Sequence, residues 1–224
     1  MTGMGTLKVG AEPVRLYVAE AAGQEAPGVA LYHAWWGLND DVIAFADRLA
    51  AAGFSVLAPD LFGGEVAASI DEADRLSSSV DEDTVDAIAL AAIDQLAQRE
   101  GAGTRIGTVG FSFGGAWAVW AAGRRDQVGA SVVYYGSVTG PTLSAARSAV
   151  VGHFAEEDPH EPAENVAAFE QGLRDAGREV TIYRYPGTGH WFAEPSRDAY
   201  RPEAADLAFD RTVEFLRREL TGGG

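Results

Sequence analysis

The 224-residue chain contains no cysteine. That absence excludes disulfides, thiolate nucleophiles and cysteine metal ligands together. Basic residues are scarce as well: 17 Lys and Arg stand against 33 Asp and Glu, for a net charge of −16. A field of that sign repels phosphate backbones and anionic lipid surfaces, so neither nucleic acid nor a membrane is an expected partner. Only four histidines are present, His33, His153, His160 and His190, and none shows HExxH or comparable ligand spacing, so no metal is expected. No run approaches the roughly 18 apolar residues that span a bilayer, and the opening MTGMGTLKVG lacks a basic segment followed by an apolar one. A cytoplasmic location is the default expectation. Internal repeats are lacking too, and 47% hydrophobic residues suit one globular domain over residues 1–224 with a sizeable core.

What the chain does contain is strand and helix patterns in alternation. Thr6 to Glu20 alternates loosely about a turn at Gly10 to Pro13 and reads as an edge hairpin, and Gly28 to Tyr32 reads as an apolar strand. After the loop HAWWGLND, Asn39 can cap a helix carrying Val42, Phe45, Ala46 and Leu49. Phe54 to Ala58 is a short strand ended by Pro59-Asp60 and the turn LFGG. Two helices follow, the second striped by Val85, Ile88, Ala92 and Leu96 and ended by Gly101 and Gly103. Strands at Arg105 to Gly110, Val128 to Tyr135, Ala149 to Phe154 and Glu179 to Tyr185 alternate with helices at Ala116 to Ala122, Ala163 to Ala176 and Ala205 to Leu220. The link before Ala149 is too short for a cap domain, and the terminal TGGG reads as a frayed tail. Such alternation predicts an α/β fold: a mostly parallel sheet of about eight strands, helices on both faces, and ligands beyond the carboxyl ends of the strands.

One turn stands out. In GFSFGG, a strand must reverse into a helix around Ser112, and Gly110, Gly114 and Gly115 remove the side chains that would collide there. The hydroxyl is then presented above the sheet edge, and the Phe113 amide, at a helix N-terminus, points where an oxyanion would form. A serine hydroxyl is a poor nucleophile, so Ser112 requires a base and an acid to orient that base. His33 and His153 precede the plausible acid and His160 lies two residues from it, whereas His190 follows the last strand in the flexible loop YPGTGHWF. The acid falls in FAEEDPHEP: Asp158, beside the turn-fixing Pro159, is preferred, with Glu157 the alternative. A second oxyanion donor is expected from the amide of Trp35 in HAWWG. Trp36, Phe62, Trp191 and Phe192 are candidate walls of an aromatic pocket, with core packing the alternative for Trp36, while Trp117 and Trp120 read as core.

HAWWGLND, PDLFGG, GFSFGG, the AEEDP turn and GTGHWF resemble, in order and spacing and across nearly the whole chain, the dienelactone hydrolase family of the α/β-hydrolase superfamily. The resemblance implies a lidless hydrolase of esters or lactones, without a cofactor, whose nucleophile, Asp and His map onto Ser112, Asp158 and His190. Three positions depart from the family's type members. Ser112 replaces their cysteine, Ala34 replaces a glutamate that helps activate the thiol, and Glu194 stands where they place an arginine that receives the substrate carboxylate. The first two changes together leave an ordinary serine relay. The third predicts a preference for neutral esters and lactones, with Glu194 facing the substrate. Acyl transfer or perhydrolysis by the same three residues, and ligand binding without catalysis, are the rival readings.

Overall fold

The computed structural model describes residues 2–22, 26–100 and 105–221. The expected helix stops at Gly101 and Gly103 and the terminal glycines lie outside them. Eight strands form one sheet: β1 (Gly3–Val9), β2 (Glu12–Ala19), β3 (Gly28–Tyr32), β4 (Ser55–Pro59), β5 (Ile106–Phe111), β6 (Val128–Tyr134), β7 (Ala149–Glu157) and β8 (Val180–Gly189). Their order is β1-β2-β4-β3-β5-β6-β7-β8, antiparallel only where β2 meets β1 and β4.

Helices cover both faces. α1 (Asp40–Ala51), capped by the Asn39 side chain on the Val42 amide, packs on β2 and β4, and α7 (Pro202–Thr221) lies beside it on β5, β6 and β7. The two meet through the rings of Phe45 and Phe209. On the opposite face lie α3 (Glu82–Glu100), α4 (Phe113–Arg124) and α6 (Ala163–Asp175), with the ten-residue α2 (Ile70–Ser79) ahead of them. The link between β6 and β7 holds a one-turn helix, α5 (Pro141–Ala145), entered through Gly140 at positive φ. β3, β5, β6 and the first part of β7 are buried almost throughout, as parallel strands covered on both faces must be.

β3 and β5 are neighbours, yet the chain leaves β3 for α1 on one face and leaves β5 for α4 on the other. A crevice therefore opens between their carboxyl ends, which is where open α/β sheets bind ligands. The loops that enter it begin at His33 and at Ser112.

Candidate active site

The turn at Ser112 is as tight as its glycines require. A Cβ on Gly110 would lie 2.1 Å from the Gly114 carbonyl oxygen, and one on Gly114 would lie 2.4 Å from that of Tyr32. Ser112 itself sits at φ 47°, ψ −111°, held by its amide on the Tyr134 carbonyl and its carbonyl on the Gly115 amide. Among the described residues the other non-glycine positions with positive φ are Tyr135 and Trp191. All three border this crevice, and strain costing on the order of 1–3 kcal/mol per residue persists where surrounding structure enforces it.

His190 Nε2 lies 3.0 Å from Ser112 Oγ, and His190 Nδ1 lies 2.6 Å from Asp158 Oδ2. The imidazole and carboxylate side chains are 5% and 2% exposed. Asp158 Oδ1 accepts from the amides of His160 and Glu161. Burial pushes the Asp158 carboxyl up, but the hydrogen bond and charge of His190, with those two amides, outweigh it and hold the group below its ordinary value. Glu157 is exposed at the end of β7, and Glu156 accepts from the Gly187 amide, which ties the end of β8, extended through the expected loop residues as far as Gly189, to β7 just before His190. A hydroxyl, an imidazole and a carboxylate in this order can remove a proton from the hydroxyl and return it to a leaving group. The amides of Phe113 and Trp35 take no part in the turn and loop hydrogen bonds of the described residues. Among the described residues no three His, Asp or Glu side chains converge as a metal site, and no helix is long and apolar enough to cross a membrane.

The expected pocket residues divide. Trp36 and Trp191 meet edge to face at 5.4 Å and line a cleft of about 370 Å³ with Ala68, Ser69, Ile70 and Arg197, the guanidinium of Arg197 stacking 3.9 Å over Trp36. Trp35 stacks on Trp191 beside His190. Phe62 is buried between His33 and Phe113 instead of facing that cleft. Phe192 does not line it either: it is fully buried against Tyr135 and Tyr185, because Trp191 at φ 63° turns the following side chain into the core. Trp117 and Trp120 are only partly buried, with Arg124 over Trp120, because the sheet-facing side of α4 is formed by Gly114, Gly115, Ala118, Ala121 and Ala122.

Glu194 is a correction as well. It is 3% exposed, its Oε1 accepts from the Tyr135 hydroxyl at 2.9 Å, and it lies with Asp41, Phe45 and Phe111 under the site. Burial pushes its carboxyl up to about 8, with the Tyr135 hydrogen bond opposing and Asp41 reinforcing the rise. A mostly protonated, enclosed carboxyl presents no fixed negative charge to a substrate, so the expected preference for neutral substrates loses its basis. The consequence is for stability. The folded carboxyl keeps its proton up to about pH 8, whereas the unfolded one loses it near 4.5. The folded state therefore binds the extra proton between those values, and the stability that this group supplies in acid is lost as pH rises, by up to about 1.4 kcal/mol per unit. Glu194→Gln should abolish that slope, so its melting temperature should gain on the wild type steadily from about pH 5 to about pH 8. Thermal melts showing a pH-independent difference would contradict this.

Two residues of the site were not anticipated. The Tyr135 ring packs on His190 at 4.9 Å, and His160 lies 4.9 Å from His190 and 5.2 Å from Trp191. Tyr135 directly follows β6, and that position beyond a strand end was the available signal; nothing in the local pattern marks His160.

Comparison with known proteins bears on the family and the fold. The model of the family described as "Dienelactone hydrolase family" matches residues 14–220. Protein usf of Aquifex pyrophilus is 33% identical over 206 residues, covering 87% of this chain and 89% of that protein. A Bradyrhizobium protein named "Probable 2-oxo-3-(5-oxofuran-2-ylidene)propanoate lactonase" is 30% identical over 212 residues, covering 88% and 85%. Among solved structures, a Klebsiella pneumoniae protein described as "Putative Dienelactone Hydrolase" superposes with a TM-score of 0.88 at 23% identity, over 97% of this chain and 98% of that one, a likeness of fold.

Proposed function

The chain belongs to the dienelactone hydrolase family, and on that premise we propose that it is a serine hydrolase of carboxylic esters or lactones. The observation that carries the reading is the unbroken line from Ser112 Oγ through His190 to Asp158, with contacts of 3.0 and 2.6 Å, at the switch point of the sheet. His190 Nε2 takes the Ser112 proton as Oγ adds to the substrate carbonyl carbon. The resulting oxyanion is held by the Phe113 and Trp35 amides. Collapse expels the alkoxide, which receives the proton from His190; in a lactone that alcohol stays tethered to the acyl group. Water then adds to the acyl-enzyme, giving its proton to His190, and the acid leaves as Ser112 recovers the proton. The partly exposed Trp191 ring, which packs on His190, supplies an apolar wall for the group beside the reacting carbonyl.

A fluorophosphonate probe followed by intact mass and peptide mapping tests this directly. One adduct on Ser112, together with turnover of p-nitrophenyl esters or of a small lactone to the free acid, is the expected result. No adduct and no hydrolysis of either substrate class would overturn it.

A further inference from the structure

His33 is a completely buried histidine that the proposed relay does not use. Its Nε2 lies 3.0 Å from the Leu61 amide, and its Nδ1 lies 2.7 Å from the Ala34 carbonyl oxygen. The Leu61 N–H can only donate, so Nε2 is the acceptor and the ring proton must sit on Nδ1, which donates to Ala34. Burial lowers the imidazole's pKa, against an opposing attraction from Asp60, and keeps the ring neutral as this pattern requires. The Asp60 side chain in turn accepts from the Phe62 amide, fixing the turn that offers Leu61.

The Ala34 carbonyl belongs to the same planar peptide as the Trp35 N–H. In a trans peptide the two point in opposite directions, so whatever fixes the carbonyl also aims the amide. The Gly37 amide also donates to the Ala34 carbonyl at 3.1 Å. The close approach of Gly114 to the carbonyls of Tyr32 and His33 seats this loop against the first turn of α4, beside Ser112. We propose that His33 is a positioning residue: held in one tautomer by Leu61, it anchors the Ala34 carbonyl and thereby aims the Trp35 amide at the oxyanion. This inference rests on the serine-hydrolase reading above, and it gives the PDLFGG turn a part in the reaction.

The two hydrogen bonds of His33 can be separated by substitution. An asparagine amide reaches about as far as Nδ1 and can still donate to Ala34, whereas a glutamine reaches the Nε2 position and can accept from Leu61 without holding Ala34. His33→Asn should keep kcat within about fivefold, and His33→Gln should lower it about 10- to 100-fold, short of the 10²–10³ expected for complete loss of an oxyanion donor. KM should change little in either, and affinity for a trifluoromethyl ketone should fall in His33→Gln by the same factor as kcat. Equal losses in the two variants, a loss confined to KM, or unchanged ketone affinity would overturn the role. Nitrogen-detected NMR of the wild-type protein provides a test independent of whether the variants fold: the Nδ1–H tautomer should persist from about pH 7 to about pH 9. An Nε2–H tautomer or a titration in that range would also overturn it. Ser112→Ala, assayed in parallel, separates the two failures, since full activity there would sink the serine reading itself.

Discussion

Ser112→Ala is expected to lower kcat for a simple ester on the order of 10⁶-fold while KM and melting temperature stay near wild type. The size follows from the relay acting as a unit: without Oγ, the His190 and Asp158 side chains have nothing to activate, and what remains is binding plus whatever stabilisation the two amides give an attack by water. The fold should tolerate the change. Ser112 is an N-cap that makes no side-chain capping bond, and alanine meets the same strained φ of 47° that serine does, so only the contact from Oγ to His190 is lost. Kinetics on the purified variant, with a thermal melt as control, decide the matter. Near-wild-type esterase turnover would falsify the assignment of Ser112 as nucleophile.

The GFSFGG turn was legible because its chemistry is steric: only glycine fits at Gly110 and Gly114, whose Cβ atoms would strike backbone, and backbone cannot move aside. The buried parallel strands were legible as apolar runs, and α1 as a 3.6-period stripe behind the Asn39 cap. Five-residue α5 fell below the length at which periodicity can be read. Trp117 and Trp120 pack against the core as their apolar helix suggests, but only at partial burial, because their spacing from Phe113 places all three away from the sheet-facing side of α4. Phe192 and Glu194 are harder to read. In the turn after His190 side-chain direction follows neither period, and is set by Trp191 at positive φ and by the Glu194 amide on the Trp191 carbonyl, which no residue pattern announces.

The order of residues along the chain is therefore a better guide to side chains just after strands than to side chains within loops. Residues that must follow strands are placed by topology: Ser112 after β5, Asp158 after β7 and His190 after β8. Side chains in loops are placed by loop conformation, which leaves Trp191 partly exposed beside His190 and turns Phe192 and Glu194 into the interior.

The choice between Asp158 and Glu157 gives the second large effect. Oδ1 of Asp158 accepts from two backbone amides, at 2.9 Å from His160 and 3.0 Å from Glu161, so that position must remain an acceptor in any isosteric variant. In Asp158→Asn the amide oxygen would stay on those N–H groups and the NH₂ would face His190 Nδ1. That nitrogen would then have to accept, moving the ring proton to Nε2, the atom that must take the proton from Ser112. A histidine locked in that tautomer cannot act as the base, and kcat should fall on the order of 10⁴-fold with little change in KM. Glu157→Gln, at an exposed carboxylate outside the relay, should remain within about twofold of wild type. Paired kinetics on the two variants give the measurement: a collapse in Glu157→Gln with activity retained in Asp158→Asn would transfer the orienting role to Glu157 and refute the one proposed for Asp158.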